Sequence, residues 1–482
     1  MRTKQIITES EHSNLSDSIQ FEPGSFKDPD GRIFYLGDTV CRSLSGQAAD
    51  RMQRLDELGH LASLVEAGLM VPTRLVSVAD EGIDIEGASS TILQHDRIAV
   101  MSYCYEWPFS LLRDAALVTL EIIERCLAFD CILKDATPYN IALYKGRPVL
   151  IDVLSIDNYE KGAPWEGYAQ FCREFLFPLL LSAHKKIDVH DILRGSLNGM
   201  SLEVADGLFS FSDICKTGVL KHVKLQAMLQ RSFRKSEFNA KRSYHESHFG
   251  KELILANVRG LRKILNKVAP STTDSTWIDY TDSHSYDADE EAEKMAFVRS
   301  ILETHNPGRV IDIGCNTGVY SRIASESANS VVSLDFDAAC IDRLYRQGRR
   351  DKIENIFPIV ANMLNPSPGM GWMLQERMSL FDRIQGDAFL ALALVHHIAI
   401  SGNIPLKNFV EALSGLADGG IVEWVDKSDP MVKTLLKNRR DVFDHYTWDH
   451  FKYVLEQSFD MEKVIEIGGG RRRLCLVRRK TA

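Results

Sequence analysis

Apolar positions recur with two periods along this chain, and the change of period divides it. In the front half, "GRIFYLGDTVCRS" (Gly31 to Ser43) alternates apolar and polar residues and predicts a hairpin at the edge of a small sheet. "SLLRDAALVTLEIIERCLAFD" (Ser110 to Asp130) instead carries apolar residues at helical spacing, with Ser110 as its candidate N-cap. The front half therefore reads as α+β. From "HNPGRVIDIG" onward the pattern becomes a series of short apolar runs, "VVSLD", "IFPIVAN", "AFLALALV" and "GGIVEWVD", each followed by a plausible helix. Strands alternating with helices at this spacing predict a mostly parallel sheet covered on both faces. The last segment, "MEKVIEIGGGRRRLCLVRR", has two apolar runs around a glycine-rich turn and predicts a terminal antiparallel hairpin.

Length sharpens this division, because 482 residues exceed what one hydrophobic core usually serves. We read a polar N-terminal arm over residues 1–30 and an α+β domain over 31–220. A basic helical linker and lid segment follows over 221–290, and an α/β domain over 291–482. Hydrophobic residues make up 45% and charged residues 26%, and no apolar run approaches the roughly 20 residues that span a bilayer. The first thirty residues lack the basic start and apolar core of a signal peptide, so the expected location is the cytoplasm. Nine scattered cysteines without C-x-x-C spacing read as reduced core thiols, and no metal is expected. The net charge of −9 argues against general nucleic-acid binding. Lys224 to Lys267 does hold eleven Lys/Arg against three acids, which reads as solvated helix faces before an acidic, polar stretch.

Candidate chemistry begins at "VIDIGCNTG" (Val310 to Gly318), where a strand runs into a turn bearing Gly314 and Gly318. In an open α/β sheet the ligand sits beyond the carboxyl ends of the strands, so a bare backbone is wanted there. The turn is not the dinucleotide G-x-G-x-x-G, since Asn316 and Val319 hold its third and sixth places. It resembles motif I of the class I S-adenosylmethionine (SAM) methyltransferases. That resemblance implies a Rossmann-like class I methyltransferase sheet with SAM as cofactor. It also implies ribose contacts from Asp335, seventeen residues after Gly318, and an adenine contact from Asn362 at the third strand end. Asp312, costly to ionise within a strand, would order the loop or meet the cofactor ammonium. Asp337 is a second ribose candidate and otherwise an N-cap. His396 and His397, just beyond the fourth strand, are the candidate catalytic residues.

"LKDATPYNIALYKGRPVLIDV" raises a different chemistry. Asp135 and Asn140 are spaced like the catalytic-loop Asp and Asn of protein kinases and aminoglycoside phosphotransferases, and Asp152 follows a short hairpin as the metal-binding Asp does. The pattern departs from that family: no His or Arg precedes Asp135, "DVL" replaces D-F-G, and no glycine-rich loop with a partner lysine is evident near Gly31 to Ser45. We expect a degenerate kinase-like domain that binds substrate or organises the enzyme; an active kinase and a plain Asx turn are the alternatives.

Longer strings, among them "WIDYTDSHSY", "NPSPGMGWMLQER", "ALALVHHIAISGNIPL" and "WEGYAQFCREFLFPLLL", resemble the bacterial nodulation-protein-like SAM methyltransferases over most of the chain. The resemblance implies methyl transfer to the oxygen or nitrogen of a small-molecule acceptor. Asn365 and Trp372 follow the third strand and Tyr280 and Tyr286 precede the first, which makes all four candidate substrate-binding residues. A bifunctional enzyme with a working ATP-dependent phosphotransferase half and a SAM-binding scaffold are the alternatives. The acceptor, the use of a general base and the oligomeric state are left open.

Overall fold

Contacts between residues divide the chain into two units. A computed structural model describes residues 19–78, 89–235, 250–270, 288–437 and 440–481. By contacts between residues, the first unit takes residues 1–99, 112–269 and 369–377, and the second takes residues 100–111, 270–368 and 378–482.

In the first unit, β1 (Gln20–Phe21), β2 (Ile33–Leu36), β3 (Thr39–Ser43), β4 (Thr73–Ser77) and β5 (Thr91–His95) form an antiparallel sheet in the order β1-β2-β3-β5-β4. The hairpin read from Gly31 to Ser43 is present as β2 and β3, but it is interior rather than at an edge. β1 pairs with β2 and β5 with β3, so partners from outside the hairpin cover both of its free sides. Helices α1 (Gly46–Glu57) and α2 (His60–Glu66) separate β3 from β4. Helix α3 (Phe109–Ala128) then leads to β6 (Cys131–Leu133), the hairpin of β7 (Ile141–Tyr144) and β8 (Arg147–Leu150), and β9 (Ile156–Asn158), which pairs with β6. The basic stretch contributes α4 (Lys251–Leu265), which buries Ile254, Val258, Leu261 and Leu265. Its Arg259 and Arg262 face outward to Glu124 at 3.2 and 3.0 Å.

Ser110 is not the N-cap of α3. The helix begins at Phe109, and the Ser110 N–H donates to the Asp342 carboxylate at 2.7 Å. A side chain 232 residues away thus satisfies an end that local sequence left to serine.

The second unit begins with α5 (Ala288–His305) and alternates as predicted: β10 (Arg309–Ile313), α6 (Val319–Ser325), β11 (Ser330–Asp335), α7 (Ala338–Asp351), β12 (Ile356–Val360), β13 (Gly386–Ala391), α8 (Leu406–Leu416) and β14 (Ala417–Val425). Then come α9 (Trp448–Ser458), β15 (Phe459–Ile467) and β16 (Arg472–Arg479). The sheet order is β12-β11-β10-β13-β14-β16-β15, parallel through β14 and antiparallel in the last hairpin. This is the mostly parallel, Rossmann-like sheet with a terminal antiparallel hairpin that the sequence led us to expect. Val310, Val331, Leu390 and Ile421 form its core with Val298 and Leu302 of α5 and Ile341 and Leu344 of α7. Each such buried side chain contributes about 1.5–3 kcal/mol, which is what makes the strand ends rigid enough to carry a site.

All nine cysteines are free thiols, and only Cys215 is exposed. No helix among the described residues is long and apolar enough to cross a membrane.

Candidate cofactor and substrate site

The sheet order reverses between β10 and β13, so the carboxyl end of β10 is a switch point where chain departs to either side. There the backbone turns sharply: Gly314, Asn316 and Gly318 have φ of 76°, 51° and 81°. At Gly318 a Cβ would fall 2.4 Å from Leu344 Cδ1, so a larger residue would be strained and would push α7 away. The Gly314 and Cys315 N–H groups both donate to the Leu334 carbonyl, at 2.8 and 3.0 Å, which ties the turn to the end of β11.

Asp335 ends β11 and is fixed by the same turn. Its Oδ2 accepts from the Asn316 N–H at 2.8 Å and its Oδ1 from the Asp337 N–H at 2.9 Å. Burial pushes its carboxyl up to about 6, against the pull of those backbone donors. Asp337 is the N-cap of α7, accepting from Ala339 and Cys340 N–H groups at 2.8 and 3.2 Å. Asp312 lies within β10, where the Ser321 hydroxyl donates to it at 2.6 Å and Ser333 donates to Ser321 at 2.8 Å. Burial, ahead of the nearby Asp335 charge, raises its carboxyl to about 7.

Asn362 lies exposed beyond β12, its Oδ1 accepting from the Leu364 N–H at 2.9 Å, and Asn365 is exposed three residues on. Phe336 and Leu364 present large apolar side chains to solvent beside these strand ends, 55% and 46% exposed. A nucleoside fits this setting: the Asp335 carboxylate, with about four lone-pair sites, is held by the backbone N–H groups of Asn316, Phe336 and Asp337 and can still accept from a ribose hydroxyl, and the exposed apolar side chains offer cover for a base. Asp312, Gly314, Asn316, Gly318, Asp335 and Asn362 are thus gathered around the ends of β10, β11 and β12.

Beyond β13 the two histidines differ. His396 is fully buried, with neither ring nitrogen hydrogen-bonded among the described residues, whereas His397 is partly accessible. Their rings lie 4.3 Å apart. Burial holds His396 well below the usual imidazole range, and burial with the Arg472 charge lowers His397 to about 4. Both are neutral at pH 7. Trp372 packs with the first unit's residues 369–377 and is 67% exposed. Tyr280 and Tyr286 lie outside the described residues.

Sequence reasoning missed a buried charge network in this unit. Glu423 near the end of β14 holds Lys294 of α5 at 2.6 Å and Arg472 of β16 at 3.0 Å, and accepts from the Ala393 N–H at 2.9 Å. Arg472 also pairs with Asp429 at 2.8 Å. The available signal was a glutamate inside the apolar run "GGIVEWVD", since a carboxylate there needs a partner.

The kinase-like residues of the first unit occupy one stretch of loop and hairpin. Asp135 follows β6, Asn140 closes the short turn Pro138–Asn140, and Asp152 comes just after β8. Asp152 pairs with Arg42 of β3, a cation that a search for lysine passed over.

No protein-family model matches the chain. It is 32% identical, over 463 residues and 94% of each chain, to the nodulation protein NoeA of Rhizobium meliloti (strain 1021). Among solved structures it is similar to the N-methyltransferase NodS from Bradyrhizobium japonicum WM9 in complex with S-adenosyl-L-homocysteine. That match has 11% identity and a TM-score of 0.31, and covers 43% of this chain and 100% of NodS. A second similarity is to the bifunctional kinase-methyltransferase WbdD, with 16% identity and a TM-score of 0.30, covering 43% of each chain. With its identity to that nodulation protein sustained along nearly its whole length, the chain belongs to the NoeA family.

Proposed function

We propose that the second unit binds SAM at the carboxyl ends of β10, β11 and β12 and transfers its methyl group to an oxygen or nitrogen of a small-molecule acceptor. The observation that carries this reading is Asp335, a carboxylate at the end of β11 fixed by backbone N–H groups, including that of Asn316 in the glycine turn. When bound, SAM supplies a methyl group already activated by the sulfonium. The chain's own work is then to align the acceptor in line with that methyl and to exclude water. Asp335 would hold the ribose, Asn362 the adenine edge, and the turn from Gly314 to Gly318 the methionine end. Asp312 orders that turn through Ser321. Asn365 and His397 are the acceptor-side candidates of this unit; Trp372, Tyr280 and Tyr286 are candidates from the sequence alone.

A histidine whose pKa is lowered to about 4 is a weak base at neutral pH. His397 therefore serves better as a hydrogen-bonding contact that orients the acceptor, and His396 as the ring packed behind it. The kinase-like residues Asp135, Asn140 and Asp152 serve binding or architecture in the first unit.

Calorimetry on the folded full chain tests the cofactor assignment. Heat of binding with SAM and with S-adenosylhomocysteine is expected; no heat with either at high concentration would sink it.

A further inference from the structure

One helical surface of the first unit turns large apolar side chains towards solvent. The π-helical turn Leu220–Lys224 runs without a break into the helix Leu225–Lys235. Its inner side is anchored: His222, Val223 and Ala227 are buried, and His222 Nδ1 lies 2.7 Å from the Tyr168 hydroxyl. The opposite side carries Lys221, Leu225, Met228, Leu229 and Ser232, all exposed and spaced i, i+4, i+7, i+8 and i+11, which is one face of a helix. Leu225, Met228 and Leu229 are 43%, 62% and 51% exposed. A helix that only covered a core would show polar residues on that side.

The charge around this stripe is of one sign. Residues 201–235 hold six Lys/Arg against three acids, in a chain whose net charge is −9. Those acids are already engaged: Asp206 holds Lys224 at 2.8 Å and also Arg231, Asp213 holds Lys185 at 2.6 Å and Lys216 at 2.9 Å, and Glu203 accepts from Gln230 at 3.1 Å.

Cations are left over. Lys221 reaches across to α4, donating to Asn257 Oδ1 at 3.4 Å and lying where a Cβ on Gly260 would meet its Nζ at 3.7 Å. Gly260 heads an i, i+3, i+7 row that continues with Lys263 and Lys267. Arg259 and Arg262 are taken up by Glu124, whereas Lys221, Lys263 and Lys267 are exposed and form no ion pair among the described residues.

We propose that this face lies on an anionic lipid surface, with Leu225, Met228 and Leu229 entering the boundary between headgroups and acyl chains and Lys221, Lys263 and Lys267 meeting lipid phosphates. Charge selects this occupant, because anionic headgroups supply the counter-charge that these lysines lack. Shape agrees with it: a narrow apolar stripe along a helix sinks into a fluid boundary without needing a matching groove. A chain of net charge −9 is otherwise repelled by such a surface, so attachment would fix which side of the unit faces lipid.

Vesicle co-sedimentation of the full chain tests this, with phosphatidylcholine vesicles and mixed phosphatidylcholine–phosphatidylglycerol vesicles as probes. Binding to the anionic vesicles should be at least tenfold tighter than to phosphatidylcholine alone and should weaken as salt is raised. Lys221→Gln should weaken it about fivefold, the share of one cation near an anionic surface. Met228→Gln/Leu229→Gln should weaken it at least tenfold. Equal binding to both vesicles, or binding to neither, overturns the proposal, as does anionic binding that survives the double variant. A chain that is dimeric without lipid, and monomeric as the double variant, would assign the face to a second copy and likewise overturns it. Circular dichroism reports folding; should the double variant fail to fold, the Lys221→Gln variant decides, and anionic binding that it leaves unchanged overturns the proposal.

Discussion

Two aspartates, each just past a strand, show how differently one side chain can be used. Asp335 is held by backbone N–H groups, those of Asn316, Phe336 and Asp337. Asp152 is taken up by a guanidinium that Asp28 shares. Backbone donors position a carboxylate without neutralising it, which suits a group meant to meet a ligand; a cation both positions it and cancels its charge. The contrast separates a strand end that is ready for a ligand from one that is already satisfied.

Removing a carboxylate that is fully committed should have the largest effect. Glu423→Ala would leave Lys294 and Arg472 buried without their shared partner, and should lower the stability of the second unit by about 3–5 kcal/mol in urea unfolding. A loss under about 1 kcal/mol would mean the network is not dry.

Asp335→Ala should weaken SAM binding by about 1–3 kcal/mol in calorimetry while leaving the fold intact. The same carboxyl gives opposite pH trends. Its pKa is raised to about 6, so SAM affinity should fall as pH drops through 6 and the carboxylate is protonated. Without ligand the native state binds that proton more tightly than the unfolded chain, so Asp335 contributes more stability as pH falls from about 6 towards the ordinary carboxylate range. Parallel trends in binding and stability would break the assignment.

Asp152→Asn should cost the first unit about 1–2 kcal/mol, from the lost charge-assisted bond to Arg42, with methyl transfer unchanged. Magnesium-dependent ATP turnover abolished by this change would instead make the first unit a working phosphotransferase.

Asp337→Ala should have the smallest effect, about 1 kcal/mol of stability from the lost N-cap, with SAM affinity unaltered. A drop in affinity like that of Asp335→Ala would share the ribose contact between the two.

The second unit was legible because its determinants are local. Apolar runs of strand length, glycines at the first turn and an acid at the next strand end follow one another in the chain, so sheet, turn and Asp335 could be read in order. What escaped depends on distant partners. Nothing near Ser110 shows that Asp342 will cap its helix, and nothing near Gly31 to Ser43 shows that β1 and β5 will cover both sides of the hairpin. Arg42 escaped for a chemical reason, because the search was for a lysine and the strand supplies a guanidinium. The deep burial of His396 is set by packing across the fold, and a sequence pattern gives position along a strand rather than depth beneath the surface.

The exchange of short segments between the units has a consequence for synthesis on the ribosome. Residues 369–377 belong with the first unit, where Glu376 pairs with Lys27 at 2.5 Å and the Arg377 guanidinium lies 4.4 Å from the Tyr139 ring centroid. When the last residue of α4 has emerged, translation has still to deliver that segment, and residues 100–111 are waiting for a sheet that does not yet exist. The contacts of the first unit are therefore complete only once residues 369–377 have been made, and those of residues 100–111 only once the second unit's strands have been.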